Sequence, residues 1–308
     1  MVFFPKELTY LGVGKETTQG TAATPTFFPP FKDCKVEDDI NYVKDQGTRG
    51  AMTNLYNVIP GVKHSTMDTS GEVYPDIIGL YLLAILGTDT VTGSATPYSH
   101  ALTLARTGQP PSLTFSRFDG TNMRQFAGTM LEEVTLKWAN GGDIEYSVKG
   151  QGYPSAVATT VTPTTTTTIP LQGWQASVTL GGTANINMVG FDLSLKRKLY
   201  VQYAANNTQK PTAIVALGLE VTGKATFDKA DDTELSDFLS NTQPALSIVL
   251  TQPVTNYVLT LQMSKCAFIK DPVTTKEVVQ GDVEFSAIDN STDGGPIKIT
   301  LANSVATY

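Results

Sequence analysis

The chain has 308 residues, 41% of them hydrophobic and 17% charged, which is enough for about two folded domains. Its net charge of −7 excludes a generic cationic surface for clamping nucleic acid, though not a protein that DNA slides past. No apolar run reaches the roughly 18–20 residues that span a bilayer, and the opening Met1-Val2-Phe3-Phe4-Pro5-Lys6-Glu7 shows no secretory signal.

Residues 1–33 read as an extended arm. Gly12, Gly14, Gly20 and the run from Pro25 to Pro30 leave little room for regular structure, yet Phe3, Phe4, Tyr10, Phe27, Phe28 and Phe31 give the arm something to pack. A strand is expected over 34–43, then a polar connection over 44–57 and a second strand over 58–73. Pro75-Asp76 opens a helix over 77–86 that stops at Gly87 and is apolar on so broad a surface that it must pack on a sheet. Residues 88–111 are loop-rich, with one strand at 98–104. An antiparallel meander follows over 112–118 and 123–138, turning at Asp119-Gly120. Asn140-Gly141 carries a type I′ signal into the next strand.

That next strand is the most informative stretch. Gly142-Asp143-Ile144-Glu145-Tyr146-Ser147-Val148 returns as Gly281-Asp282-Val283-Glu284-Phe285-Ser286-Ala287. In both copies the odd members of the alternation are apolar and the even ones polar, the mark of a strand with one buried face. Other elements return in the same order. The low-complexity segment 158–170 reads as a linker. Beyond it come a strand at 191–195, a polar connection at 196–212 and Gly218-Leu219-Glu220-Val221-Thr222, which matches Gly61-Val62-Lys63-His64-Ser65 at an offset of 157. A short helix capped by Asp231-Asp232 and a second meander over 245–301 complete it. The expected fold is mainly β, with two tandem β-sandwich, tube-type domains at 34–157 and 171–308, each with a flanking helix.

Nothing in the sequence forms a catalytic constellation, and no metal, cofactor or enzymatic activity is expected. His64 and His100 lie far from metal-ligand spacing. Gly12-Val13-Gly14-Lys15 lacks the spacing of a phosphate loop. The acid pairs Asp38-Asp39, Glu132-Glu133 and Asp231-Asp232 point to opposite faces of a strand. Cys34 and Cys266 read as free thiols, and Lys196-Arg197-Lys198 as a solvated turn. A carbohydrate-binding or hydrolase β-protein would need clustered aromatics, but Trp138 and Trp174 lie in different halves.

The order Gly14-Lys15-Glu16-Thr17-Thr18, Gly20-Thr21-Ala22, a Pro/Phe segment, Gly47-Thr48-Arg49-Gly50, a helix ending Leu86-Gly87, Tyr98 and His100, then Pro111, Leu113 and Thr114, resembles the major tail tube proteins of long-tailed (siphovirus-type) bacteriophages. The resemblance covers most of residues 10–155 and, through the repeat, the rest. It implies a virion protein, made in the host bacterial cytoplasm, whose sheets continue from subunit to subunit into rings stacked as a hollow tube for DNA. Another β-rich virion component, a tail terminator or capsid decoration, is the alternative. With two tube domains per chain the ring would be a trimer of pseudo-sixfold appearance. Its partners would be further copies of itself, the tape measure, terminator and distal tail proteins, and double-stranded DNA passing without specific binding, with no membrane. The polar members of the repeated strand, Glu145, Ser147, Glu284 and Ser286, are expected to face the lumen. The loop 44–57 is expected to become ordered only in the tube, with Leu55 and Tyr56 buried on the next ring and Arg49 paired with an acid there.

Overall fold

A computed structural model describes residues 3–275 and 278–308. The first half contains β1 (Tyr10–Lys15), β2 (Asp33–Asp45), β3 (Asn57–Glu72), α1 (Ile78–Leu86), β4 (Gly87–Thr92), β5 (Tyr98–Leu104), β6 (Leu113–Phe118), β7 (Met123–Ala139), β8 (Glu145–Gly152) and β9 (Ala156–Ala158). The second contains β10 (Ala176–Leu180), β11 (Thr183–Asn185), β12 (Met188–Gln202), β13 (Ala213–Asp228), α2 (Thr233–Ser240), β14 (Leu246–Thr251), β15 (Val258–Met263), β16 (Cys266–Lys270), β17 (Val273–Thr275), β18 (Val279–Ala287) and β19 (Lys298–Asn303). The protein is mainly β, as expected.

One antiparallel sheet runs through both halves in the order β16-β18-β13-β12-β7-β8-β3-β2. The first half contributes β2-β3-β8-β7 and the second β12-β13-β18-β16, the same sequence of partners. They meet where β7 pairs with β12, Val134 opposite Leu195 and Leu136 opposite Leu193. Each half has its own second layer: β1, β6, the start of β7 and β9 in the first, and β11-β10-β14-β15-β19-β5-β4 in the second. β7 serves both layers of its half because it bends, with Gly128 at φ +67 and a register shift between Leu131 and Glu133. Most buried apolar side chains form one contiguous cluster from Leu11 to Tyr308, so the halves share a core; Met130, Ile214 and Ala216 form a second, small one.

The repeated strand behaves as its alternation requires. Ile144, Tyr146, Val148, Val283, Phe285 and Ala287 are buried. Tyr146 lies opposite Gly71 and Phe285 opposite Gly223, and each ring covers its glycine where a Cβ would collide. This common rung sets the offset between β3 and β13 at 152, not the 157 of the Gly61/Gly218 match, because strand partners and not local similarity define register.

Several other expectations change. The arm contains a strand: β1 pairs with β6 and buries Leu11 and Val13, so the glycines at 12 and 14 lie where neighbouring chain approaches closely. Residues 87–104 form the hairpin β4–β5, not one isolated strand, and it is the second half's layer that it extends, through β19. The turn at 140–141 is not type I′. Neither residue has positive φ, and Ile144 N–H bonds Leu171 O, so the chain leaves the hairpin path to meet the end of the linker. Lys196-Arg197-Lys198 is not a turn but part of β12, and Arg197 is buried. Its guanidinium donates to the carbonyls of Ile85, Leu86 and Leu217, supplying positive charge where the α1 dipole ends.

Candidate assembly surface

Three surfaces have the size and chemistry to act, and each begins with strand geometry. The first is the pair of sheet edges. Among the described residues no strand pairs with the far side of β2 or of β16. At Cys34 the backbone groups point outward: the N–H is held by the Asp33 carboxylate at 2.9 Å and the carbonyl accepts from Arg117, whose guanidinium also lies over Phe31. At the other end Cys266 N–H bonds Pro244 O at 3.0 Å, while Ile269 is exposed. Both thiols are buried and unpaired. Burial raises both thiol pKa values, that of Cys266 to about 12. An open edge is a template for another strand unless it is blunted. Here the Asp33 and Arg117 side chains blunt it at Cys34, and the Pro244 carbonyl does so at Cys266, where α2 lies against the same strand.

The second surface is the outer face of the shared sheet. Glu145, Ser147, Glu284 and Ser286 all point there, away from the core, and the structure brings the four to one face of one sheet. Lysines sit among the acids: Lys32 bridges Glu145 at 2.7 Å and Glu72 at 3.4 Å, Lys149 meets Glu133, Lys224 meets Asp282, and Lys270 meets Glu284. The hydrogen bond that Lys32 donates to Glu145 holds the Lys32 pKa above its usual value. With Asp33, Asp68 and Glu220 on the same face, carboxylates outnumber lysines. Sequence reasoning found the acids but not the lysines, because cross-strand neighbours are not sequence neighbours.

The third is the tip of the β2–β3 hairpin. The strands reach Asp45 and Asn57, so the loop is shorter than 44–57. Arg49 bonds Asp45 at 2.5 Å and lies 4.5 Å over the Tyr56 ring, and Tyr56 N–H closes the loop on Asp45 O. The single chain thus already supplies Arg49 with an acid. Leu55 and Met52 are exposed, as are Tyr42, Val43, Val58 and Ile59 on the strands below.

The clefts offer less. Trp138 and Trp174 do line one shallow cleft despite lying in different halves, with Ile186 and Met188, but no acid lines it. Among the described residues no group of three or more His, Cys, Asp or Glu could hold a metal ion. Glu16, the most connected buried acid, is committed to structure: it accepts from Gly20 N, Gly128 N, Ser112 Oγ and Thr114 Oγ1, fastening the arm to the first half. His100 is likewise a packing residue, between Asp89 and Val305 O.

A family model described as phage tail tube protein matches residues 7–287. Comparison with curated proteins gave no match.

Proposed function

Because the chain belongs to the phage tail tube protein family and is thus a structural protein of the virion tail, we propose that it closes into rings of three that stack into the tube through which DNA leaves. The observation that carries this reading is the β7·β12 joint. One chain already holds two copies of the strand order, joined edge to edge, and leaves one free edge of each kind at its ends. Units 34–157 and 171–308 would then be tube domains, linked through 158–170, and three chains would present six. Tape measure, terminator and distal tail proteins would meet the finished tube.

The outer face of the shared sheet, with Glu145, Ser147, Glu284 and Ser286, is the proposed lumen lining. DNA carries about one charge per 1.7 Å of axis, so an acidic excess lets it pass without binding, while the interspersed lysines keep the carboxylates from repelling one another. The tip with Arg49, Leu55 and Tyr56 is the proposed contact to the next ring. Its Arg49–Asp45 pair would be exchanged for, or shared with, an acid of that ring.

Mass measurement of isolated rings, with electron microscopy of the purified protein, tests the reading. Three chains per ring and stacked tubes are expected. Six chains, or a protein that stays monomeric, would overturn it, and single closed rings that never stack would indicate a terminator. Replacing 46–56 by a short Gly/Ser turn is expected to leave rings that do not stack.

A further inference from the structure

Resting on that reading, we propose that β16 of one copy pairs with β2 of the next in the register of the β7·β12 joint, which sets Cys266 opposite Cys34 of the neighbouring copy. The correspondence is fixed rung by rung. Tyr146 over Gly71 and Phe285 over Gly223 align the two halves. Ser70 lies opposite Asp33, and its counterpart Thr222 opposite Ser194, so Asp33 corresponds to Ser194 and Cys34 to Leu195. On the other side Val134 lies opposite Val148, and Cys266 opposite Ala287, the counterpart of Val148. Within the chain Val134 pairs with Leu195. Repeating that rung between copies brings the chain's two cysteines together.

The backbone at both edges suits the same docking. Cys34 already turns its N–H and C=O out of the edge, held by Asp33 and Arg117, and the outward N–H of Cys266 is held by Pro244 O; an incoming strand would replace all three. The β2–β3 ladder carries four more rungs before its register shift than the β12–β13 ladder does, from Glu37/Thr66 to Ile40/Lys63, so its tip, with Tyr42 and Val58 exposed, reaches past the place that Ile214 and Ala216 take against Met130. The neighbouring rung brings Lys265 towards Lys35, whose charge Glu37 offsets at 2.8 Å.

Directly opposed residues of antiparallel strands have Cα atoms about 4.5–5.5 Å apart, within the roughly 4.4–6.8 Å that a disulfide bridges. Assembled tubes are treated with copper(II)–phenanthroline; as each S–S bond forms, the pair of thiols gives two electrons to two copper(II) ions and two protons to water. Most chains are expected to run as covalent dimers and trimers on a non-reducing denaturing gel, returning to monomer with reductant and in C34S or C266S. Because both thiols are buried, the adjacent outer-face rung is probed as well, with Asp33→Cys plus Ala267→Cys in a C34S/C266S background. Lys35→Cys plus Ala267→Cys serves as the register-shifted control. Trimeric rings in which D33C/A267C stays monomeric, or in which the shifted pair links better, would overturn this register and leave the trimer standing. Absence of trimeric rings would overturn both.

Discussion

The two helices occupy corresponding places and live in different surroundings. Every residue of α1 is buried, because it lies against β7 and β12 at the joint between the halves and is covered by the β4–β5 hairpin. Of α2 only Glu234 is buried; it lies against β16, at the open edge, and Leu239 is 74% exposed. The same element is core where the sheet continues and surface where it stops. That contrast marks the β16 end as an unfinished version of the β7 end.

The largest effect expected from breaking the contrast is in α1. Leu82→Ala should cost about 3 kcal/mol of unfolding free energy, while Leu239→Ala should stay within about 0.5, both read from urea midpoints of the unassembled chain. Equal losses would mean that the helices are equivalent after all. Arg197→Met comes next. It strips charged donors from the carbonyls of Ile85, Leu86 and Leu217 at the end of α1, a loss of about 2.5 kcal/mol. At α2, by contrast, the closing carbonyls of Asp237 and Phe238 accept from the backbone N–H groups of Thr242 and Asn241.

A smaller loss is expected where ring covers glycine. At Gly223 an added Cβ would come within 2.4 Å of the Phe285 ring and 2.6 Å of Asp192 O; at Gly71 it would meet Pro30 O at 2.7 Å and Tyr146 at 3.1 Å. Gly223→Ala should therefore cost about 2 kcal/mol, and Gly71→Ala less, since there only the Pro30 oxygen comes closer than 3 Å while the ring stays at 3.1 Å. The smallest effect concerns Glu234, whose pKa is raised above 4.5 because burial disfavours its charge. The folded chain then holds this proton to higher pH than the unfolded chain does. Its contribution is most favourable below the unfolded value and declines as pH rises through the window from about 4.5 up to the folded value. Glu234→Gln should flatten that decline in a pH series of melting temperatures; an unchanged slope would show Glu234 to be solvated.

The amino-acid sequence alone determined most of the period-two strands, though not β1, β4 or the second half of β12, together with both helices, the internal correspondence of 142–148 with 281–287, and which of those side chains are buried. Each follows from alternation, caps and breakers within a few residues. It also placed the four polar members of the repeated strand on an outward face, because parity along one strand is local. Only the tertiary structure decided that these four share one sheet, that lysines interleave them, that β7 meets β12, and that Arg197 points inward under α1. Those are contacts between residues far apart in the chain, whose register depends on which strands become neighbours. The offset of 152 in place of 157 shows the reason in one instance: local similarity aligned two glycines, while the backbone ladder, with Tyr146 over Gly71 and Phe285 over Gly223, aligned two others. Sequence likeness carries no hydrogen bonds, and in a sheet it is the hydrogen bonds that place one residue opposite another.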